Sequence, residues 1–396
     1  MATALNKPVT FDEFDKEISL RPKDKSPGIT GITINMLKAC PKGLLIELYD
    51  ILTQLWTRRN DSSGRIIPES WLHRWLCLVP KDKKGPTKLD RIRPISLYEV
   101  TRKIWTGILN HRIIRIWEEQ KALHPTQYGY RPNLGTESEL MQLINVIEDV
   151  DEFNKTFFLI AFDTKKAFDS VRKPLMVAAW KRLGVPLDIA EYLVDLDKGG
   201  QTVVKSQHAN AVYHDLGPKA ILTNQTGEDS AASFYARDGI GQGDSTSALA
   251  WLAIYDILLC MLDDNLHPPY LYQATPDQME KSDMFAYADD LNGVSPSLAH
   301  LQTMTDHVSA FNAITGFSFN DKLECGTNSH QDFGAIYAHD KHWKEITVPI
   351  KPKLVITILG VPVDLCNKWT DLKKYVATKI SSLSIPIAKK NVFYLT

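Results

Sequence analysis

Two apolar, β-rich runs that each end in aspartate constrain this chain more than any other feature. TFFLIAF (156–162) leads into Asp163, and MFAYA (284–288) leads into Asp289 and Asp290. Short apolar runs of this kind read as buried strands, so the acids are expected at strand ends, where side chains are rigidly mounted. Carboxylate oxygens are hard ligands suited to Mg²⁺. Brought together without a cation, three acids repel and raise one another's pKa. Two divalent ions about 3.5–4 Å apart, bridged by such acids, are the standard device for in-line phosphoryl or nucleotidyl transfer. Consecutive strand residues point to opposite faces, so Asp289 and Asp290 are not expected to face the ions equally.

The chain has 396 residues, enough for a sizeable core and two or three subdomains. Residues 35–57 carry helical spacing broken at Pro41 and Gly43, and WLCLVP (75–80) reads as a strand stopped by its proline. KDKKGPTK is a loop, and residues 97–120 predict a long amphipathic helix. TESELMQLINVIEDV predicts a helix opened by a capping box from Thr136 to Glu139. LMVAAWKRLGV and LDIAEYLVDLDKG are helices, the second stopped by Gly199-Gly200. TVVKS and SFYARDG read as strands, and the stretch 207–230 between them is longer than a hairpin needs. Ser245–Leu262 is helical. The order of helices and strands does not alternate, which predicts α+β rather than a doubly wound α/β fold.

Charge is unevenly placed. The net formal charge is −1, yet Trp71–Arg115 holds eleven Lys/Arg against three acids. That basic stretch is either a solvated face or a surface for nucleic-acid phosphates. Cys40, Cys77, Cys260, Cys325 and Cys366 are odd in number and form no CxxC pair, so an intracellular, reducing compartment is expected rather than a disulfide framework. The longest apolar stretch, 247–262, contains Asp256 and falls short of the roughly 20 residues a membrane span needs. The polar, acidic first residues give no sign of a signal or transit peptide. The histidines form no HExxH and no Cys/His cluster.

Further blocks appear in a fixed order: SPGITGITINMLKAC (26–40), WLHRWLCLVPKDKKGPTKLDRIRPISLYEVTRKIWTGILNHRI (71–113), HPTQYGYRPNLGTESELMQLI (124–144), FDTKKAFDSV (162–171), GIGQGDSTSAL (239–249), FAYADD (285–290), ITGFSFNDKLE (314–324) and ILGVPV (358–363). In this order they resemble a reverse transcriptase of the non-LTR retrotransposon (LINE-type) and group II intron branch, over nearly the whole chain. The resemblance implies RNA-directed DNA polymerase activity with Mg²⁺ (two ions, Mn²⁺ as a possible substitute), dNTPs, a DNA primer and an RNA template. It also implies other domains on a longer polyprotein, and no membrane.

What the resemblance assigns to individual residues follows the same motifs. Asp163 and Asp289 would bind metal, joined by the Thr164 carbonyl and supported by Asp290, with Tyr287 packing at the hairpin. Lys322 would protonate the leaving pyrophosphate. Lys81, Arg93 and the nearby Arg91 are candidates for the triphosphate. Gln242 and Gly243 would lie against the nascent base pair, and Phe168 would lie under the incoming sugar, where a ring excludes a ribose 2′-hydroxyl. Ordinary core packing is the other reading of Phe168. Tyr128, Tyr130 and Arg131 would contact template, Leu359-Gly360 would begin the primer grip, and Lys83 and Lys84 of the basic stretch would contact nucleic-acid phosphates. G-Q-G-D-S-T departs from the family, which has Arg before the Gln and Pro-Leu after the Asp.

The fold implied is the fingers and palm of a right-hand polymerase within one domain, 1–396. Fingers would cover about 1–155 and part of 195–245, and an antiparallel palm sheet backed by helices about 156–194 and 246–365. Residues 366–396 would begin a thumb that looks truncated. Two rivals are an RNA-dependent RNA polymerase, opposed by Phe168 and YADD, and a degenerate polymerase-like module that only binds RNA or protein.

Overall fold

A computed structural model describes residues 1–60, 66–81, 92–205, 233–235, 238–265, 269–275, 278–320, 323–352, 355–366, 372–376 and 378. Lys83, Lys84, Arg91, Lys322, the 207–230 insertion and most of 366–396 lie outside the described residues. The described strands, in chain order, are β1 (Arg74–Pro80), β2 (Ile92–Leu97), β3 (Phe158–Phe162), β4 (Gln201–Lys205) and β5 (Ser233–Tyr235). Then come β6 (Leu271–Thr275), β7 (Gln278–Lys281), β8 (Met284–Tyr287), β9 (Asp290–Ser295), β10 (Glu324–Thr327), β11 (Ala335–His339), β12 (Glu345–Pro352), β13 (Val355–Ile358) and β14 (Val361–Asp364).

Six strands form the larger sheet, in the order β11-β12-β10-β3-β9-β8. The FLIAF of β3 has neighbours on both edges, antiparallel to β9 (Phe158↔Ser295, Phe162↔Leu291) and to β10 (Glu324↔Ala161). It is buried along most of its length, as an unbroken apolar run should be. The sheet is not wholly antiparallel, because β10 and β12 run parallel. The chain leaves β10, passes along the outer edge as β11, and turns back, so β12 arrives in the direction of β10. A second sheet, β2-β1-β4-β5, pairs β1 antiparallel with β2 and parallel with β4.

The helix Ser245–Asn265 is the centre of the core: Trp251, Leu252 and Ile254 are fully buried. It is long and apolar enough to cross a membrane, but most of its apolar length is buried inside the protein. Asp256 within it accepts the His124 backbone N–H (2.6 Å) and pairs with Arg182 (2.5 Å), so the one acid at its centre is compensated.

Three local expectations change. The helix Val100–Glu119 is buried almost all round rather than amphipathic, because it packs against both Phe11–Leu20 and Ser245–Asn265. The helix Leu187–Asp195 ends well before Gly199-Gly200. Hydrogen-bonded turns (Asp197 N–H to the Val194 carbonyl, Lys198 N–H to the Asp195 carbonyl) carry the chain on to Gly199 at φ 72°, and Arg102 takes the Leu196 carbonyl at 2.6 Å. The Thr136–Glu139 capping box does not form. Gly135 is the N-cap, its N–H donates to the Ser138 hydroxyl (3.3 Å), and Glu139 turns inward to accept from Asn292 Nδ2 (2.9 Å).

That inward turn has a measurable consequence. Burial, with the charge of Asp290 adding to it, pushes the Glu139 carboxyl from an ordinary 4.5 up to about 7, against the lowering effect of Asn292. The folded state therefore holds a proton that the unfolded chain has released across this interval, so stability falls as pH rises from about 4.5 to about 7. Glu139→Gln, which still accepts from Asn292, is expected to flatten this slope by an amount on the order of 2–3 kcal/mol. Urea midpoints at pH 5 and pH 8 measure it; an unchanged slope would mean that Glu139 is already ionised in the fold.

Candidate active site

The acids converge on one end of the larger sheet. Asp163 follows β3, and its neighbour β9 begins at Asp290, after a tight hairpin from β8 in which Tyr287 pairs with Asp290. Ala288 and Asp289 are the two residues of the turn, so Asp289 and Asp290 do not alternate along one strand as expected. Ala288 sits at φ 58°, in the first position of a two-residue turn, where glycine is usual. Such a left-handed alanine costs about 1–2 kcal/mol.

The strand register makes the three acids neighbours, since Phe162 pairs with Leu291 and Tyr287 with Asp290. Burial first, and then the charge of Asp163, raises the Asp289 pKa. Asp290 still reaches solvent, but its crowded surroundings and the charges of Asp289 and Asp163 push it up to about 7. Asp163 is held in place by Asn320, whose Nδ2 donates to Oδ2 (2.9 Å) and whose backbone N–H donates to the Asp163 carbonyl (2.7 Å). Thr164 is buried and bridges to Phe319. Among the described residues no three His, Cys, Asp or Glu side chains close into a metal cage. The donor set nevertheless fits a divalent cation: hard oxygen ligands whose mutual repulsion a cation would relieve.

A column of rings runs beside these acids. Phe168, in the short 3₁₀ turn Ala167–Ser170, stacks on Trp251 (5.6 Å between centroids), and Trp251 stacks on Tyr255 (5.2 Å). The Tyr255 hydroxyl donates to the Asp289 carbonyl (3.2 Å). On the outer side Tyr130, 44% exposed, meets Phe168 edge-on at 6.4 Å. Burial raises the Tyr130 hydroxyl to about 12, and the charges of Asp289, Tyr287 and Asp290 add to this. Phe168 is thus half-buried at the end of a packed column.

The G-Q-G-D segment is fixed from below. Asp244 is buried, and the fully buried Arg102 binds it through both Nε (3.0 Å) and Nη2. The same guanidinium donates to Asp197 (2.8 Å) and to the carbonyls of Trp71 (2.7 Å) and Leu196, and lies over the Tyr98 ring at 4.0 Å. Gly243, at φ 119°, lies so close to the Ser96 carbonyl that a Cβ would overlap it, and Ser96 N–H donates to the Gln242 carbonyl (2.7 Å). Strand β2, which carries the exposed Arg93, is therefore locked to the Gln242 loop.

Several expected contacts are not available as drawn. Arg131 is consumed inside the fold, with both carboxylate oxygens of Glu118 (2.7 and 2.8 Å) and the carbonyls of His124 and Gln127 (3.1 Å each). Tyr128 is half-buried and packs against the cluster of Leu143, Phe157 and Tyr270. Within the basic stretch 71–115, Arg74, Arg102 and Arg112 are buried and ion-paired, so these three belong to the interior. Lys81 is exposed. Leu359 (φ 50°) and Gly360 (φ 79°) form the tight turn joining β13 to β14, a separate hairpin whose Ile356, Ile358 and Val363 pack in one cluster with Leu159, Phe285 and Val294 of the six-stranded sheet.

One residue inside a quoted motif was assigned no role by the sequence. Gln127 is buried, and its Oε1 accepts the N–H of Ala288 (3.0 Å) and of Gly129 (2.8 Å) while its Nε2 donates to the Ala288 carbonyl (3.2 Å). Gly129 allows this approach, since a Cβ there would overlap the Ala288 nitrogen. The Q-Y-G-Y-R-P pattern was the available signal; a buried glutamine beside a glycine marks a backbone clamp.

Residues 79–333 match the family model described as reverse transcriptase (RNA-dependent DNA polymerase), which is more than half of the chain. The chain belongs to the reverse transcriptase family. Its relatives place it in the non-LTR, LINE-type branch. It is 27% identical to the Retrovirus-related Pol polyprotein from type-1 retrotransposable element R2 of Popillia japonica, over 76% of this chain and 37% of that protein. It is 28% identical to the RNA-directed DNA polymerase from mobile element jockey of Drosophila melanogaster, over 45% of this chain and 19% of that one. The chain thus spans well under half the length of these relatives. Among solved structures, apo telomerase from Candida tropicalis is similar at a TM-score of 0.44 and 13% identity, over 76% of this chain and 60% of that one.

Proposed function

We propose that this chain is the RNA-directed DNA polymerase of a non-LTR retrotransposon, adding dNTPs to a DNA primer on an RNA template. The observation that carries the reading is the meeting of Asp163, Asp289 and Asp290 at one sheet end, inside the stretch that matches the family. In this reading the six-stranded sheet and its helices are the palm, about 156–194 and 246–365. The β1–β2–β4–β5 sheet and the N-terminal helices belong to the fingers, about 1–155 and part of 195–245.

Asp163 and Asp289, with Asp290 and the Thr164 carbonyl beside them, would hold Mg²⁺. The chemistry supplied there, when two ions are bound, would be activation of the primer 3′-hydroxyl and neutralisation of the triphosphate. The chain's own residues do the positioning. Phe168 sets the floor for the sugar, backed by Trp251 so that it cannot retreat. Lys81 and Arg93 face the triphosphate as point charge and planar fork. Gln242 and Gly243 offer backbone that the base pair can approach closely. Tyr130 is the template-side ring that remains exposed. Other domains of a longer polyprotein are the expected partners. Five cysteine thiols are compatible with a reducing intracellular compartment.

A primer-extension assay with the purified, folded chain tests the reading. Expected is Mg²⁺-dependent extension of a DNA primer on RNA with dNTPs and little with rNTPs; no extension of any primer by the folded chain would refute it. Preferential use of rNTPs by the unaltered chain would favour an RNA polymerase instead. Phe168→Ala is expected to raise the rNTP-to-dNTP incorporation ratio by about tenfold or more, as removal of a steric block would. It should also cost roughly 1–3 kcal/mol of stability, because the ring is half-buried on Trp251. Lost stability with an unchanged ratio would leave Phe168 as a packing residue alone.

A further inference from the structure

We propose that Gln127 is a positioning residue that holds the acid-bearing turn in its working shape, a role that rests on the polymerase reading above. The turn Ala288–Asp289 presents two of the three acids, and its first residue is an alanine in a backbone conformation that alanine resists. Both backbone groups of that residue, N–H and C=O, end on the one carboxamide of Gln127. The clamp is itself delivered by backbone pairing, since Ala286 N–H donates to the Thr126 carbonyl (2.9 Å) and Tyr128 N–H to the Ala286 carbonyl (2.7 Å). On the other side Tyr255 holds the Asp289 carbonyl. The turn is thus gripped from two sides.

The carboxamide is the only side-chain group of this size that suits all three bonds. It needs one acceptor for two N–H groups and one donor for a carbonyl. Glutamate would set a carboxylate oxygen against the Ala288 carbonyl and add a buried charge beside the acids. Alanine would orphan two N–H groups and a carbonyl in the interior, each of which prefers to be paired. Gln127 touches no reacting atom in this arrangement. It governs where Asp289 and Asp290 stand, and a catalytic constellation tolerates displacements of only about 0.5 Å.

Two measurements on the full chain test the proposal. Hydrogen exchange followed over residues 284–292 reports the clamp directly, and single-turnover incorporation on a primer–template reports its effect on chemistry. In Gln127→Ala the Ala288 amide should exchange about tenfold faster or more. The incorporation rate should fall by on the order of ten- to a hundredfold, and the Mg²⁺ concentration for half-maximal rate should rise, while primer–template and dNTP affinity stay within about threefold. Gln127→Glu should be at least as impaired. Adding Ala288→Gly to Gln127→Ala should recover part of the rate, since glycine adopts this conformation freely and removes the strain, though it does not restore the lost hydrogen bonds. Unchanged exchange, or an unchanged rate in a chain that extends primers, overturns the proposal. If Gln127→Ala does not fold, the double variant should; its failure to regain fold or rate overturns the proposal as well. A wild-type chain that extends no primer sinks the polymerase reading instead, and the exchange result alone then decides for or against the clamp.

Discussion

Asp163→Asn and Asp289→Asn are each expected to abolish primer extension, by a factor of about 10³ or more, while binding of primer–template stays within a few-fold. A loss of that size corresponds to roughly 4 kcal/mol of transition-state stabilisation, the scale expected when a charged ligand is removed from a metal-dependent centre. The same substitutions should make the metal-free protein more stable. Asp289 and Asp290 carry raised pKa values because they are withdrawn from water beside one another and beside Asp163. Removing one charge relieves that repulsion and should raise the melting temperature in EDTA. Asp290→Asn is expected to cost less activity, since Asp290 opens the return strand and is the more exposed of the pair. Extension retained by Asp163→Asn or Asp289→Asn would dismiss the metal assignment. Lost extension accompanied by a lower melting temperature would point to damage to the fold.

Arg102→Ala is expected to be the most destabilising single change in the chain, by about 3–5 kcal/mol, because it leaves buried Asp244 without its cation and Asp197 with only the longer Arg74 pair (3.4 Å). Arg102 has no solvent exposure and donates to Asp244, Asp197 and two backbone carbonyls from one guanidinium. Lysine cannot replace it, since a single ammonium cannot span four acceptors in a planar fork. Chemical denaturation measures the cost, and a loss below about 1 kcal/mol would show that water or a neighbouring cation compensates. Asp244→Asn should cost less, as the amide oxygen keeps an acceptor for Arg102 and Asp197 remains its counter-ion.

These two predictions mark where the sequence was readable. The strands that carry the acids, the proline-stopped β1 and the long helix behind Gly243-Asp244 follow from periodicity and local chemistry, and all appear with near-matching bounds. What failed depended on partners far away in the chain. Glu139 looked like a capping residue until Asn292 claimed it, and Arg131 looked like a template contact until Glu118 did. Asp289 and Asp290 looked like strand neighbours because nothing local announces that an alanine will take a turn position usually held by glycine. Arg102 was counted with a basic surface because burial of a charge is decided by Asp197 and Asp244, distant from it in sequence. Local pattern specifies which elements exist; it does not say which polar groups they will bury.

The position of β3 also dictates an order of events during synthesis. Its strand partners are β9 and β10, so FLIAF leaves the ribosome with neither edge covered, and stays so until residues beyond Asp290 have been made. At roughly 5–20 residues per second that delay is on the order of ten seconds. The acid cluster therefore cannot assemble on a partly made chain, and until then this apolar strand is a segment that a chaperone would bind.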